Sequence, residues 1–202
     1  MMKLHYHPFS TFSRRVRMAL LEKNIPCELV EVNMTAGAHR SDEYRKLNPY
    51  GRVPTLEEDG FVLYESTAIL EYLEATHPSP PLVPSDARGR ALVSMHMKLC
   101  DIQLARQSGT IIFPKRFLPK ERWDEAAIAQ AKKEIEKHLS ILDGQLAGKT
   151  YLVAEKYSLA DLGYTPFVEF FPLMEVAPPA NVAAWVKRLL DRPSAVETKP
   201  GA

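Results

Sequence analysis

Two cysteines in 202 residues, Cys27 and Cys100, are too few for a disulfide scaffold. Neither has partners at metal-ligand spacing, so both read as buried thiols and no metal is expected. Long apolar runs are missing as well: none approaches the roughly 20 residues that cross a bilayer. The opening Met1-Met2-Lys3-Leu4-His5-Tyr6-His7 breaks at Pro8 before an apolar signal segment could form, and a cytoplasmic location is expected. Nor does charge of one sign prevail. Lys and Arg number 26 against 25 Asp and Glu, and the net charge of +1 speaks against nucleic acid or another polyanion as partner. The chain contains no internal repeat or low-complexity tract. What is present, at 46% hydrophobic content, is the composition of an ordinary globule long enough for one large or two small domains.

Up to residue 77 strand and helix signals alternate. Residues 3–7 alternate as a short strand, and 13–23 form a helix with Val16, Ala19 and Leu20 on one face. A second strand at 28–32 completes a unit of the parallel βαβ kind. Residues 40–47 read as a short irregular helix. Strands at 55–57 and 61–64 flank the hairpin signal Asp59-Gly60, and an amphipathic helix runs from 66 to 76. The prolines at 78, 80, 81 and 84 cannot continue that helix, because each removes a backbone donor and restricts its predecessor. Beyond them the pattern is helical: Ile128, Ala131, Ile135, Leu139, Leu142 and Leu146 step by three or four along one stripe. Ser158-Leu159-Ala160-Asp161 has the spacing of a capping box, a structural feature. The expected architecture is an α/β domain over 1–77, a linker over 78–86 and an all-helical domain over 87–202.

Three loop motifs stand out: Ser10-Thr11-Phe12-Ser13-Arg14-Arg15-Val16-Arg17, Arg52-Val53-Pro54-Thr55 and Glu65-Ser66-Thr67-Ala68. Two others, Ser158-Leu159-Ala160-Asp161-Leu162 and Arg192-Pro193-Ser194-Ala195, lie in the helical half. On these residues the chain resembles the cytosolic glutathione S-transferases over essentially its whole length. It is of the serine type and most similar in motif to the phi class, with theta and zeta relatives behind. The resemblance implies a thioredoxin-like βαβαββα domain followed by a helical bundle. It also implies glutathione as co-substrate with no metal, a detoxifying transferase activity on small hydrophobic electrophiles, and a homodimer.

Residue by residue, the resemblance places the thiol-activating hydroxyl at Ser10. The physical reading agrees, since a hydroxyl at a strand-to-helix turn can donate to sulfur while the helix N-terminus favours negative charge. Read alone, Ser10 is as readily a plain helix cap. Thr11 and Ser13 are rival hydroxyls, and Ser13, closer to the helix body, is expected to be the plain cap. Val53-Pro54 resembles the family's cis-prolyl turn, whose backbone would pair with the cysteinyl part of glutathione. Glu65 and Ser66 resemble the γ-glutamyl contacts, and Ser66 equally reads as an N-cap. His39 and Arg40 match the basic pair for the glycyl carboxylate; by itself His39 reads as a solvated loop side chain. Phe12 and Arg52 complete the expected glutathione site, with Arg52 and Ser41 standing where phi enzymes often have Gln and Lys. The resemblance assigns Phe12, Phe113 and Phe117 to the electrophile pocket; on spacing alone the latter two read as core. Tyr50, in the turn Asn48-Pro49-Tyr50-Gly51, stands where relatives place an aromatic dimer key. A zeta-type cis-trans isomerase and a non-catalytic adaptor on the same fold are the rival functions. Hydroperoxide reduction is the expected side activity.

Overall fold

The computed structural model describes residues 1–200, which fall into two compact units: one through Leu82 that also takes in the chain from Pro193, and one over Val83–Arg192. The first unit follows the expected order: β1 (Met2–Tyr6), α1 (Thr11–Glu22), β2 (Glu28–Glu31), α2 (Asp42–Leu47), β3 (Thr55–Glu58), β4 (Phe61–Tyr64) and α3 (Ser66–Thr76). A 3-10 turn at Ala38–Arg40 precedes α2. The sheet runs β2-β1-β3-β4, with β1 and β2 parallel and the other pairs antiparallel. Asp59 and Gly60 both adopt positive φ, 49° and 86°, the conformation a two-residue hairpin needs to match strand twist. The core joins Leu4 and Leu56 of the sheet to Val16, Met18 and Ala19 of α1 and to Ile69, Leu70 and Leu73 of α3, all at most 1% exposed. Each fully buried leucine or isoleucine there contributes roughly 1.5–3 kcal/mol.

The proline-rich stretch is more tightly held than a linker. Lys23 Nζ, inaccessible to solvent, lies 2.7 Å from Glu74 and donates to the Pro80 carbonyl at 2.8 Å. Glu74 in turn accepts the Leu82 N–H. Residues 78–82 therefore belong to the first unit.

The second unit is helical: α4 (Ala87–Leu99) runs through a π-helical stretch at Cys100–Ala105 into α5 (Arg106–Phe117), followed by α6 (Glu125–Leu146), α7 (Leu159–Val168), α8 (Phe171–Met174) and α9 (Ala180–Leu190). The apolar stripe of α6 is buried along its length, each member 9% exposed or less. The capping box is present. Asp161 Oδ2 accepts from both the N–H and the hydroxyl of Ser158 at 3.0 Å, and Oδ1 accepts from Leu152 N–H at 3.1 Å and Trp185 Nε1–H at 2.9 Å. One carboxylate thus ties the start of α7 to the preceding loop and to α9.

After α9 the chain returns to the first unit as α10 (Pro193–Glu197), which packs on α1. The helical domain therefore ends at Arg192 rather than at the C-terminus. A second difference concerns the thiols. Cys100 is fully buried, its thiol directed at the Gly163 carbonyl at 3.4 Å, whereas Cys27 is only half-buried beside β2. Burial and the carboxylates of Glu28 and Glu58 push the Cys27 thiol up to about 11, which leaves it protonated and unreactive at neutral pH. No helix among the described residues is long and apolar enough to cross a membrane.

Two histidines are buried in the second unit, His96 on α4 and His138 on α6. His138 Nε2 lies 3.1 Å from the Tyr164 hydroxyl, with its ring stacked on the tyrosine, and Tyr164 packs edge-on to Trp185. Burial, and after it His96, pushes the His138 imidazole down to about 4. An imidazole with a folded pKa below its unfolded value binds its proton more readily when unfolded, so stability is complete above pH about 6.5 and falls as pH drops toward 4. His138→Gln, neutral throughout, is expected to lose about 3 kcal/mol less than wild type over that interval. Urea unfolding followed by tryptophan fluorescence measures this, since Trp123 and Trp185 both lie in this unit. Parallel pH dependence in the two proteins would contradict it.

Candidate active site

The helix N-termini of α1 and α3 form the centre of the site. Helix α1 begins at Thr11 because Ser10 is extended, with φ −82° and ψ 116°, and its Oγ accepts the Ser13 N–H at 3.1 Å. Ser10 N–H is held by the His7 carbonyl at 3.0 Å, and its own carbonyl accepts the first helical bond, from Arg14 N–H at 2.9 Å. The cap is thus Ser10 and not Ser13. Ser13 occupies the third helical position, is fully buried, and accepts the His7 N–H at 3.4 Å. Capping uses a lone pair on Ser10 Oγ and leaves its proton free to donate outward from a half-exposed position. Thr11 is half-exposed in the first turn.

The first turn of α1 carries no acidic residue, and Arg14 and Arg15 lie within its first two turns. Arg14 and Arg15, at 2% and 0% exposure, lie on the buried side of α1. Arg15 Nη1 donates to Ser66 Oγ at 3.4 Å, and its guanidinium carbon sits 5.3 Å from the Phe12 ring centre. That bond joins the two helix N-termini. Helix α3 opens at Ser66, so the cap position belongs to Glu65 and not to Ser66, and the Glu65 side chain makes no capping bond. Glu65 holds φ 72° and ψ 115°, a region where a residue with a Cβ is strained by about 1–3 kcal/mol. Its carboxylate is exposed, while Ser66 is 4% exposed.

The loop before β3 is fixed from behind. Tyr44 Oη donates to the Arg52 carbonyl at 2.7 Å, and Asn48 Nδ2 donates to the same carbonyl at 2.9 Å. Both also reach Thr55 Oγ1, at 3.0 and 3.2 Å, and Asn48 Oδ1 accepts the Tyr50 N–H. The Val53-Pro54 bond is cis, and Val53 packs with Val32 and Tyr44. Gly51, at φ 60°, presses against the 3-10 turn so closely that a Cβ would lie 2.8 Å from the His39 carbonyl oxygen. His39 is 9% exposed rather than solvated, with Nδ1 buried and unpartnered. Burial, then Arg40, His7 and Arg45, lower its pKa. Positive charge at this end comes from the exposed Arg40 and Arg52.

The remaining candidates are exposed aromatics. Phe12 is 39% exposed at the α1 N-terminus. Phe113 and Phe117 on α5, 58% and 61% exposed with rings 5.5 Å apart, are not core residues. Tyr50 is 67% exposed and rests edge-on against Tyr64. Arg15, Tyr44 and Asn48 were not legible as site-forming residues. The available signal was weak: two consecutive arginines near the start of α1.

Residues 4–81 match the family model for the glutathione S-transferase N-terminal domain, and residues 109–193 match that for the C-terminal domain. A glutathione S-transferase of Hyoscyamus muticus is 31% identical, over 96% of this chain and 95% of its own length. The crystal structure of glutathione transferase F7 from Populus trichocarpa superposes with a TM-score of 0.89 at 29% identity, covering 98% of this chain and 97% of that one. A bacterial zeta-class maleyl pyruvate isomerase is similar at TM-score 0.84 and 28% identity, over 99% and 97%. The F-type plant relatives accord with the phi-like motifs of the first unit. With both domain models matched and relatives similar from end to end, the chain belongs to the glutathione S-transferase family.

Proposed function

We propose that this transferase joins the glutathione thiolate to hydrophobic carbon electrophiles, with Ser10 as the residue that holds the sulfur as thiolate. The observation that carries this reading is the half-exposed Ser10 hydroxyl, which accepts from its own helix and keeps its proton to donate. Helix α1 and the buried Arg15 guanidinium, 5.3 Å from the Phe12 ring centre, supply positive potential at the same end of the helix. Bringing a thiol from about 8.5 to about 6.5 favours the thiolate by ~2.7 kcal/mol and makes it the major form near neutrality. No general base is required. The thiolate attacks the electrophilic carbon, and the leaving group departs with the displaced electron pair, or an unsaturated carbonyl takes a proton from solvent. The same thiolate would serve hydroperoxide reduction as a side activity.

In this reading the glycyl carboxylate lies toward Arg40 and Arg52, with His39 a neutral donor. The cysteinyl backbone pairs at Val53-Pro54, and the γ-glutamyl end meets Glu65 and the open N-terminus at Ser66. Phe12, exposed at the α1 N-terminus, borders the thiol and offers it an apolar neighbour. Phe12, standing where zeta enzymes carry a cysteine, disfavours maleyl isomerisation. A full set of glutathione contacts disfavours an adaptor. The protein works as a cytoplasmic homodimer in which Tyr50 inserts into the partner subunit.

Ser10→Ala should lower kcat for conjugation by one to several orders of magnitude with glutathione affinity nearly unchanged, because the hydroxyl favours the thiolate more than it holds the tripeptide. Ser13→Ala should do much less. Steady-state kinetics with an activated aryl halide decides between them, and a larger loss at Ser13 would transfer the role. Tyr50→Ala should sediment as a monomer at low micromolar concentration where wild type is dimeric; an unchanged dimer removes Tyr50 as the key.

A further inference from the structure

We propose that α10 and the adjoining Thr198 position Ser10 through Arg14, so that residues 194–198 help set how strongly the site favours the thiolate. The inference rests on Ser10 as the thiol-activating residue and extends the site to a segment that no glutathione contact requires.

Arg14 connects two things. Its main-chain N–H makes the first helical hydrogen bond to the Ser10 carbonyl, at 2.9 Å, and so fixes the peptide that carries the hydroxyl. Its buried side chain leaves α1 on the other side and ends on the tail: Nη2 donates to the Ala195 carbonyl at 2.9 Å and Nε donates to Thr198 Oγ1 at 3.2 Å. Thr198 is itself oriented, since its hydroxyl proton goes to the Ser194 carbonyl at 2.7 Å. That leaves its lone pairs to face the guanidinium. The far end of α1 is tied to the same short helix by a short bond from the Ser194 hydroxyl to the Glu22 carboxylate. The short segment 194–198, α10 and the residue after it, thus grips α1 at its first turn and at its last residue.

A buried guanidinium is tolerated only where acceptors meet it in fixed geometry, and a fork of two donors defines direction as well as distance. Moving the acceptors would move Arg14, and moving Arg14 would shift the peptide on which Ser10 Oγ depends. Hydrogen-bond strength falls steeply with misalignment, so a small displacement costs thiolate stabilisation before it costs tripeptide binding, which other loops provide. Arg14 is accordingly a positioning residue that touches neither substrate.

The test is ultraviolet titration of the thiolate of bound glutathione, with kcat and KM for glutathione, in Arg14→Lys, Thr198→Val and Ser10→Ala. Lysine cannot reach both tail acceptors, and valine removes one of them at nearly constant shape. Arg14→Lys should raise the pH midpoint of the bound thiol by about one and lower kcat about tenfold at pH 6.5, with KM changed less than about twofold; Thr198→Val should do the same to a smaller extent, about threefold. A merely structural contact would lower the melting temperature and leave the thiol midpoint in place. That result in Thr198→Val, the variant least able to disturb folding, overturns the proposal even if Arg14→Lys does not fold. If Ser10→Ala moves the midpoint and neither tail variant does, the tail claim alone fails. If Ser10→Ala leaves it unmoved, the Ser10 reading fails and takes this inference with it.

Discussion

The first unit's site depends on one requirement of helix chemistry: the first turn of α1 has N–H groups without intrahelical partners, and something must accept from them. Ser10 meets that need with a lone pair, accepting from Ser13 N–H. The same oxygen bears a proton that the helix does not use. Capping and the proposed sulfur contact would draw on different parts of one hydroxyl's bonding capacity, so the cap does not exclude the proposed thiol-activating role. An alanine at this position would lose both, and a residue without a proton to give would keep only the cap.

Around that hydroxyl the unit is built to hold backbone in place. Arg15 reaches from α1 to Ser66 at the start of α3, so the two open helix ends keep a fixed relation within the unit. Tyr44 and Asn48 converge on the Arg52 carbonyl and on Thr55, which fixes the approach to Val53 from beneath. Gly51 allows the loop to lie against the 3-10 turn that carries His39 and Arg40. Strain at Glu65 is tolerated because strand β4 and helix α3 determine the chain on either side of it. The helical unit has its own anchor in Asp161, whose four donors bind α7, α9 and the loop before α7 into one body.

Sequence patterns conveyed the periodic part of this molecule. Alternation and 3.6-residue spacing located four strands and the helices α1, α3 and α6, Asp59-Gly60 marked the hairpin, and the six-residue stripe of α6 is buried as read. The capping box was legible because its bonds lie within four residues. What was misjudged involves partners far away in sequence. Ser13 looked like the cap because local spacing cannot tell which of two serines turns extended. His39 looked solvated because a lone histidine in a loop carries no local sign of burial, and the Gly51 turn packed against its main chain lies twelve residues on. Cys27 looked buried from residue type alone. Arg14 and Arg15 carried no period that would mark a buried cation, and the acceptors of Arg14 lie more than 180 residues later. Family resemblance placed the glutathione-site candidates, and the geometry then sorted cap from buried neighbour.

The central claim is that the Ser10 hydroxyl, and no other, meets the sulfur. A crystal structure of the enzyme with glutathione bound tests it most directly. The account requires the cysteinyl sulfur within hydrogen-bonding distance of Ser10 Oγ, with the Ser13 N–H bond to Ser10 kept. A sulfur seated instead on Thr11 or Ser13, or beyond the reach of Ser10, would contradict it.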